Sequence, residues 1–112
     1  MKKRSENYLE KKPLRADYIR WKKEDGEVVL EIENKGVANK IAQKLFKKPK
    51  ISYIHLDEMG SYIWSMLDGE ENIISLGEKV REHFGDSAEP LYERLSRYIK
   101  TLEDYKFIEF KD

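Results

Sequence analysis

The fourteen residues from Leu56 to Gly69, LDEMGSYIWSMLDG, limit the fold more than any other part of the chain, because they combine a helix start, one apolar face and an Asp-Gly stop. Asp57 is a suitable N-cap, and Glu58 sits in the first turn, where the helix dipole favours negative charge. Met59, Ile63, Met66 and Leu67 recur at helical spacing and form one apolar face, with Trp64 beside them as a core anchor. Gly60 costs about 1 kcal/mol in a helix relative to alanine, so its presence implies close approach of another backbone. Gly69 supplies the left-handed conformation that ends the helix, and Asp68 is placed to accept from backbone N–H groups of the next turn.

The flanks supply the other elements. Residues 18 to 23, YIRWKK, and 28 to 33, VVLEIE, surround Asp25-Gly26, a strong hairpin signal. Counting from a two-residue loop sets Glu24 opposite Glu27, Trp21 opposite Leu30 and Ile19 opposite Ile32. Arg20 then faces Glu31 on the other side, so the polar and apolar patterns agree. After a turn at Asn34-Lys35-Gly36, residues 37 to 46 carry Val37, Ile41, Ala42 and Leu45 at helical spacing, which predicts a short helix ended by Pro49. Ile51 to Leu56 has the β-branched and aromatic content of a third strand.

Downstream, Ser75 and Glu78 have capping-box spacing, predicting a second helix that stops at Gly85. A third is expected from Asp86 or Ser87 to about Tyr105, with Pro90 in its first turn and Leu91, Leu95, Tyr98, Ile99 and Leu102 as its stripe. Lys106 to Phe110 alternates weakly, as a short terminal strand would.

Composition narrows the function classes. A chain of 112 residues suits one ordinary domain, and 22 basic side chains balance 22 acidic ones, which argues against a general phosphate binder. The balance conceals halves of opposite sign, with Lys and Arg in excess before residue 50 and Asp and Glu in excess after it. Residues 1–13 read as a basic, flexible tail, and 14–112 as the domain. Without cysteine there is no disulfide or thiolate metal site. With no signal-type apolar stretch and no run long enough for a membrane span, a cytoplasmic protein is expected. His55 and His83 share no ligand spacing, the glycines form no phosphate loop, and no serine lies in a nucleophile motif, so neither an enzyme nor a cofactor is expected.

Strands followed by three helices define an α+β chain resembling a winged helix-turn-helix, with an N-terminal three-stranded antiparallel sheet before a three-helix bundle. A DNA-binding regulator of that fold is the alternative reading, and it rests on the basic front half. The third helix speaks against it, because Glu89, Glu93, Glu103 and Asp104 accompany Arg94, Arg97 and Lys100 on its outward face.

Leu56, Asp57, Gly60, Ile63, Trp64, Asp68 and Gly69, followed by a capped helix ending in HFG and by LYERLSRYIKTLEDYKFIEF, resemble the PqqD-like family, the peptide chaperones of pyrroloquinoline quinone biosynthesis and their relatives. The similarity extends over about residues 13 to 110. The resemblance implies a RiPP recognition element, a module without a catalytic group. Such a module captures the leader of a ribosomally made precursor peptide by strand addition and presents it to a modifying enzyme, often a radical SAM enzyme. By position, the edge strand is Ile51 to His55 and the groove wall comes from the third helix. The residues implied for peptide contact are Ile51, Tyr53, His55, Arg94, Leu95, Arg97, Tyr98 and Leu102. The expected partners are the peptide and its enzyme, with room for a homodimer and with neither membrane nor nucleic acid.

Overall fold

A computed structural model describes residues 8–33 and 51–111. The helix expected over residues 37 to 46 lies outside the described residues, as does most of the expected tail. The elements are β1 (Lys12–Arg15), β2 (Arg20–Glu24), β3 (Glu27–Glu33), β4 (Ile51–His55), α1 (Glu58–Ser65), α2 (Ile73–Phe84), α3 (Leu91–Asp104) and β5 (Ile108–Lys111). The result is a mixed α+β chain with antiparallel sheets and three helices.

The hairpin forms in the expected register. Asp25 and Gly26 both take positive φ, as a tight two-residue loop requires. Glu24 then pairs with Glu27, Trp21 with Leu30 and Arg20 with Glu31. Ile19 lies just outside the ladder but is buried in the same core cluster as Leu30. β4 adds antiparallel to the other side of β3, giving the order β2-β3-β4.

The strands are divided between two sheets rather than gathered in one. β1 pairs antiparallel with β5, Lys12 opposite Lys111 and Arg15 opposite Ile108. Within the residues expected as tail, the described part includes a 3₁₀ turn at Tyr8–Glu10 and a fully buried Pro13. Composition alone hides this strand, because its ladder partner among the described strands is β5, at the far end of the sequence. β1 also closes α1. The Arg15 guanidinium donates to the carbonyl oxygens of Trp64 (2.9 Å) and Ser65 (3.2 Å), a cationic cap on the helix C-terminus. The helix accordingly ends at Ser65, four residues before Gly69. Gly69 has the expected positive φ, and its N–H donates to the Pro13 carbonyl.

Two helix starts differ from expectation. α2 begins at Ile73 with Asn72 as its cap, the Asn72 side chain accepting from Ser75 N at 2.9 Å. Asparagine caps as well as serine does, and starting there brings Ile73 into the core. α3 begins at Leu91 after a separate 3₁₀ turn at Gly85–Ala88, because Pro90 disfavours helical backbone at the preceding residue. Ile63, Trp64, Leu76, Val80, Leu95 and Ile99 meet between the helices and the inner face of the three-stranded sheet. Gly77 permits the closest approach, since a Cβ there would lie 2.4 Å from the Tyr92 ring of α3.

Candidate functional site

The turn from β4 into α1 fixes the site. Asp57 caps α1 by accepting from Gly60 N at 2.7 Å, as expected. Ser61, buried one turn along, accepts from Val28 N at 2.7 Å and donates to the Leu56 carbonyl at 3.2 Å, tying β3, the turn and α1 together. From α3 the Tyr98 hydroxyl donates to the Gly60 carbonyl at 3.0 Å. The close neighbour of Gly60 is thus a tyrosine side chain rather than another backbone. A Cβ on Gly60 would meet the Tyr98 hydroxyl at 3.3 Å.

Burial, reinforced by the charge of Asp57, raises the Tyr98 phenol well above its ordinary pKa of 10.0. The unfolded chain therefore gives up this proton first, so the contribution of Tyr98 is complete below about pH 10 and is lost as pH rises further. Tyr98→Phe should cost about 0.5–1.5 kcal/mol at neutral pH. Urea unfolding at pH 7, 9 and 11 checks the sign: the advantage of wild type over the variant should shrink above pH 10.

Beside this contact lies a cavity of about 360 Å³ between the end of β4, α1, α2 and α3. Leu56, Met59, Ile63, Leu91 and Leu95 give it apolar walls, while His55, Asp57, Arg94 and Tyr98 are its ionisable lining residues. Four of the expected contact residues, His55, Arg94, Leu95 and Tyr98, come together here. The others do not. Leu102 is buried in the core two turns further along α3, and Arg97 is exposed and paired with Glu93 at 3.1 Å. Ile51 and Tyr53 lie on β4 away from the cavity.

The two faces of β4 differ. Ile54 is opposite Leu30 and therefore shares the inner face, yet it is 37% exposed because it stands at the sheet's edge. Tyr53, 55% exposed, projects from the outer face with Ile51 and His55. For backbone groups the division also alternates along an antiparallel ladder. Leu56 N donates to the Val28 carbonyl at 2.9 Å, so the N–H and C=O of Ile54 and Ser52, in phase with Leu56, turn toward β3. Those of Ile51, Tyr53 and His55 turn outward. No other described strand pairs on that side.

Sequence reasoning missed Leu56, Met59 and Leu91 as cavity walls. No local signal marks them, since each belongs to an apolar pattern that a fully buried core would also produce. Among the described residues no group of three or more His, Asp or Glu is placed to hold a metal ion, and no helix is long and apolar enough to cross a membrane.

The class the geometry defines is a small α+β domain with a strand edge on which no other described strand pairs, beside an apolar groove. The family model for coenzyme PQQ synthesis protein D (PqqD) matches residues 28–108, and the chain belongs to the PqqD family. No curated protein and no solved structure matches it.

Proposed function

We propose that this chain is a peptide-binding adaptor without catalytic chemistry of its own, taking the leader of a ribosomally made precursor peptide as an added strand and presenting it to a modifying enzyme. The observation that carries the reading is the outward-turned backbone of Ile51, Tyr53 and His55 beside the cavity. Main-chain pairing along β4 supplies affinity independent of sequence, and the cavity selects among alternate side chains. Ile51, Tyr53 and His55 act through their backbone, Arg94, Leu95 and Tyr98 through the groove. Arg97 serves as a rim charge, and Leu102 holds α3 in place from the core. Membership of the PqqD family supports a partner enzyme of the pyrroloquinoline quinone biosynthesis type, with a radical SAM enzyme as the candidate. In this reading residues 14–112 act as one winged-helix module in the cytoplasm, and a homodimer is compatible with it. DNA binding has no comparable support, since Lys79, Arg81, Arg97 and Lys100 on α2 and α3 are paired with carboxylates. Charges so compensated attract phosphates weakly.

Titrating the labelled leader of a precursor peptide encoded beside this chain tests the proposal. Saturable binding at or below tens of micromolar is expected, and a folded sample that shows none at that concentration argues against it.

A further inference from the structure

On α2 and α3 the Lys and Arg side chains are Lys79, Arg81, Arg94, Arg97 and Lys100. Four of them have carboxylate partners: Glu71 for Lys79, Glu89 for Arg81, Glu93 for Arg97, and Asp104 at 3.5 Å for Lys100. Arg94 has none among the described residues. Among the described residues its guanidinium donates once, to the Ser87 carbonyl at 2.8 Å, and it stands at the lining of the cavity. A guanidinium carries five N–H donors in a fork that matches a carboxylate, and because Arg94 is exposed its remaining donors face solvent and are open to a ligand carboxylate. Neither Asp57 nor His55 engages it. The Asp57 carboxylate is committed through one oxygen to Gly60 N at the start of α1, where the helix dipole offsets its charge, and His55 brings no anion.

Resting on the strand-addition reading above, we propose that the peptide captured here carries an apolar residue for the cavity and an acidic residue on the same face, whose carboxylate completes the coordination of Arg94. Side chains on one face of an extended strand recur every second residue, so the acid lies two residues along from the apolar anchor. Leu56, Met59, Ile63 and Leu95 receive the anchor in the way a core receives a leucine, which supplies affinity. The Arg94 pair fixes register, because a slip of one residue would turn the acid to the opposite face and leave Arg94 unpaired. The preferred segment is therefore acidic and amphipathic, and a basic one is rejected at the same point.

The test uses short synthetic peptides with blocked ends, built on a threonine-rich background, titrated into the full chain by fluorescence anisotropy. The parent has Leu and, two residues along, Asp. Changing Asp to Asn should weaken binding about tenfold, and changing Leu to Ala should weaken it by at least as much. In Arg94→Glu protein, checked for an unchanged circular dichroism spectrum, the order should reverse so that a Lys peptide binds better than the Asp parent. Saturable binding of the Asp and Asn peptides with equal affinity would overturn the acidic preference while leaving strand addition intact. If N-methylation of the peptide backbone also made no difference, strand addition would fall with it, and the absence of binding by every peptide would overturn both.

Discussion

Trp64→Ala should lower the stability of the domain by about 3–5 kcal/mol, a large share of the roughly 5–15 kcal/mol available to a protein of ordinary stability. The indole is completely buried and meets Trp21 edge to face, ring centres 6.3 Å apart at 84°. Truncation removes that area from the junction of α1, the inner sheet face and α2, and the neighbours belong to packed elements that cannot collapse into the space. One term runs the other way. The indole Nε1 is buried without a hydrogen-bond partner among the described residues, so losing it relieves an unsatisfied donor. Trp64→Phe keeps most of the ring and deletes the N–H, and should cost less than half as much as alanine. Urea denaturation of the three proteins measures both differences. A loss below 1 kcal/mol for Trp64→Ala would show that α1 is not anchored through this ring.

Tyr53→Pro should leave the fold intact and weaken peptide capture by roughly tenfold or more. The argument depends on which way one N–H points. Proline removes a donor, and within a ladder that is costly, but at Tyr53 the donor faces away from β3. What is lost is the bond an incoming strand would make, together with the open edge that it needs; the pyrrolidine ring occupies that side. Ile54→Pro is the control. Its N–H turns toward β3 opposite Leu30, so the same substitution one residue along should destabilise the sheet itself. Thermal unfolding and anisotropy titration of the two variants separate the effects. Equal peptide affinity in wild type and a folded Tyr53→Pro protein would place capture somewhere other than this edge.

Much of the fold is legible in short-range chemistry. Asp25-Gly26 determines a register because a two-residue loop leaves no freedom in the count, and both faces of the ribbon agree with it. Asp57, Trp64 and the stripe of α3 are legible for the same reason, since capping and burial act within a few turns. Other features depend on contacts distant in sequence. β1 exists because β5 pairs with it, and nothing in Lys12-Pro13-Leu14-Arg15 announces that partner. The end of α1 is set by Arg15 from β1 rather than by the nearby Gly69. The site divides in the same way. Ile51, Ser52, Tyr53, Ile54 and His55 carry apolar or aromatic residues at both parities, so sequence identifies the strand but not its inner face. Opposition to Leu30 assigns Ile54 inward and sends Tyr53 outward. The cavity is assembled from β4, α1, α2 and α3, and Arg94 stands out only once the partners of the other helical cations are known.

Residue-resolved amide hydrogen exchange of β4, with and without a saturating leader peptide, tests strand addition most directly. The Tyr53 and His55 amides, which face outward, should become strongly protected when peptide binds. The Ile54 amide, already bonded within the sheet, should change little. Saturable binding that leaves Tyr53 and His55 exchanging as fast as in the free protein would contradict capture at the β4 edge.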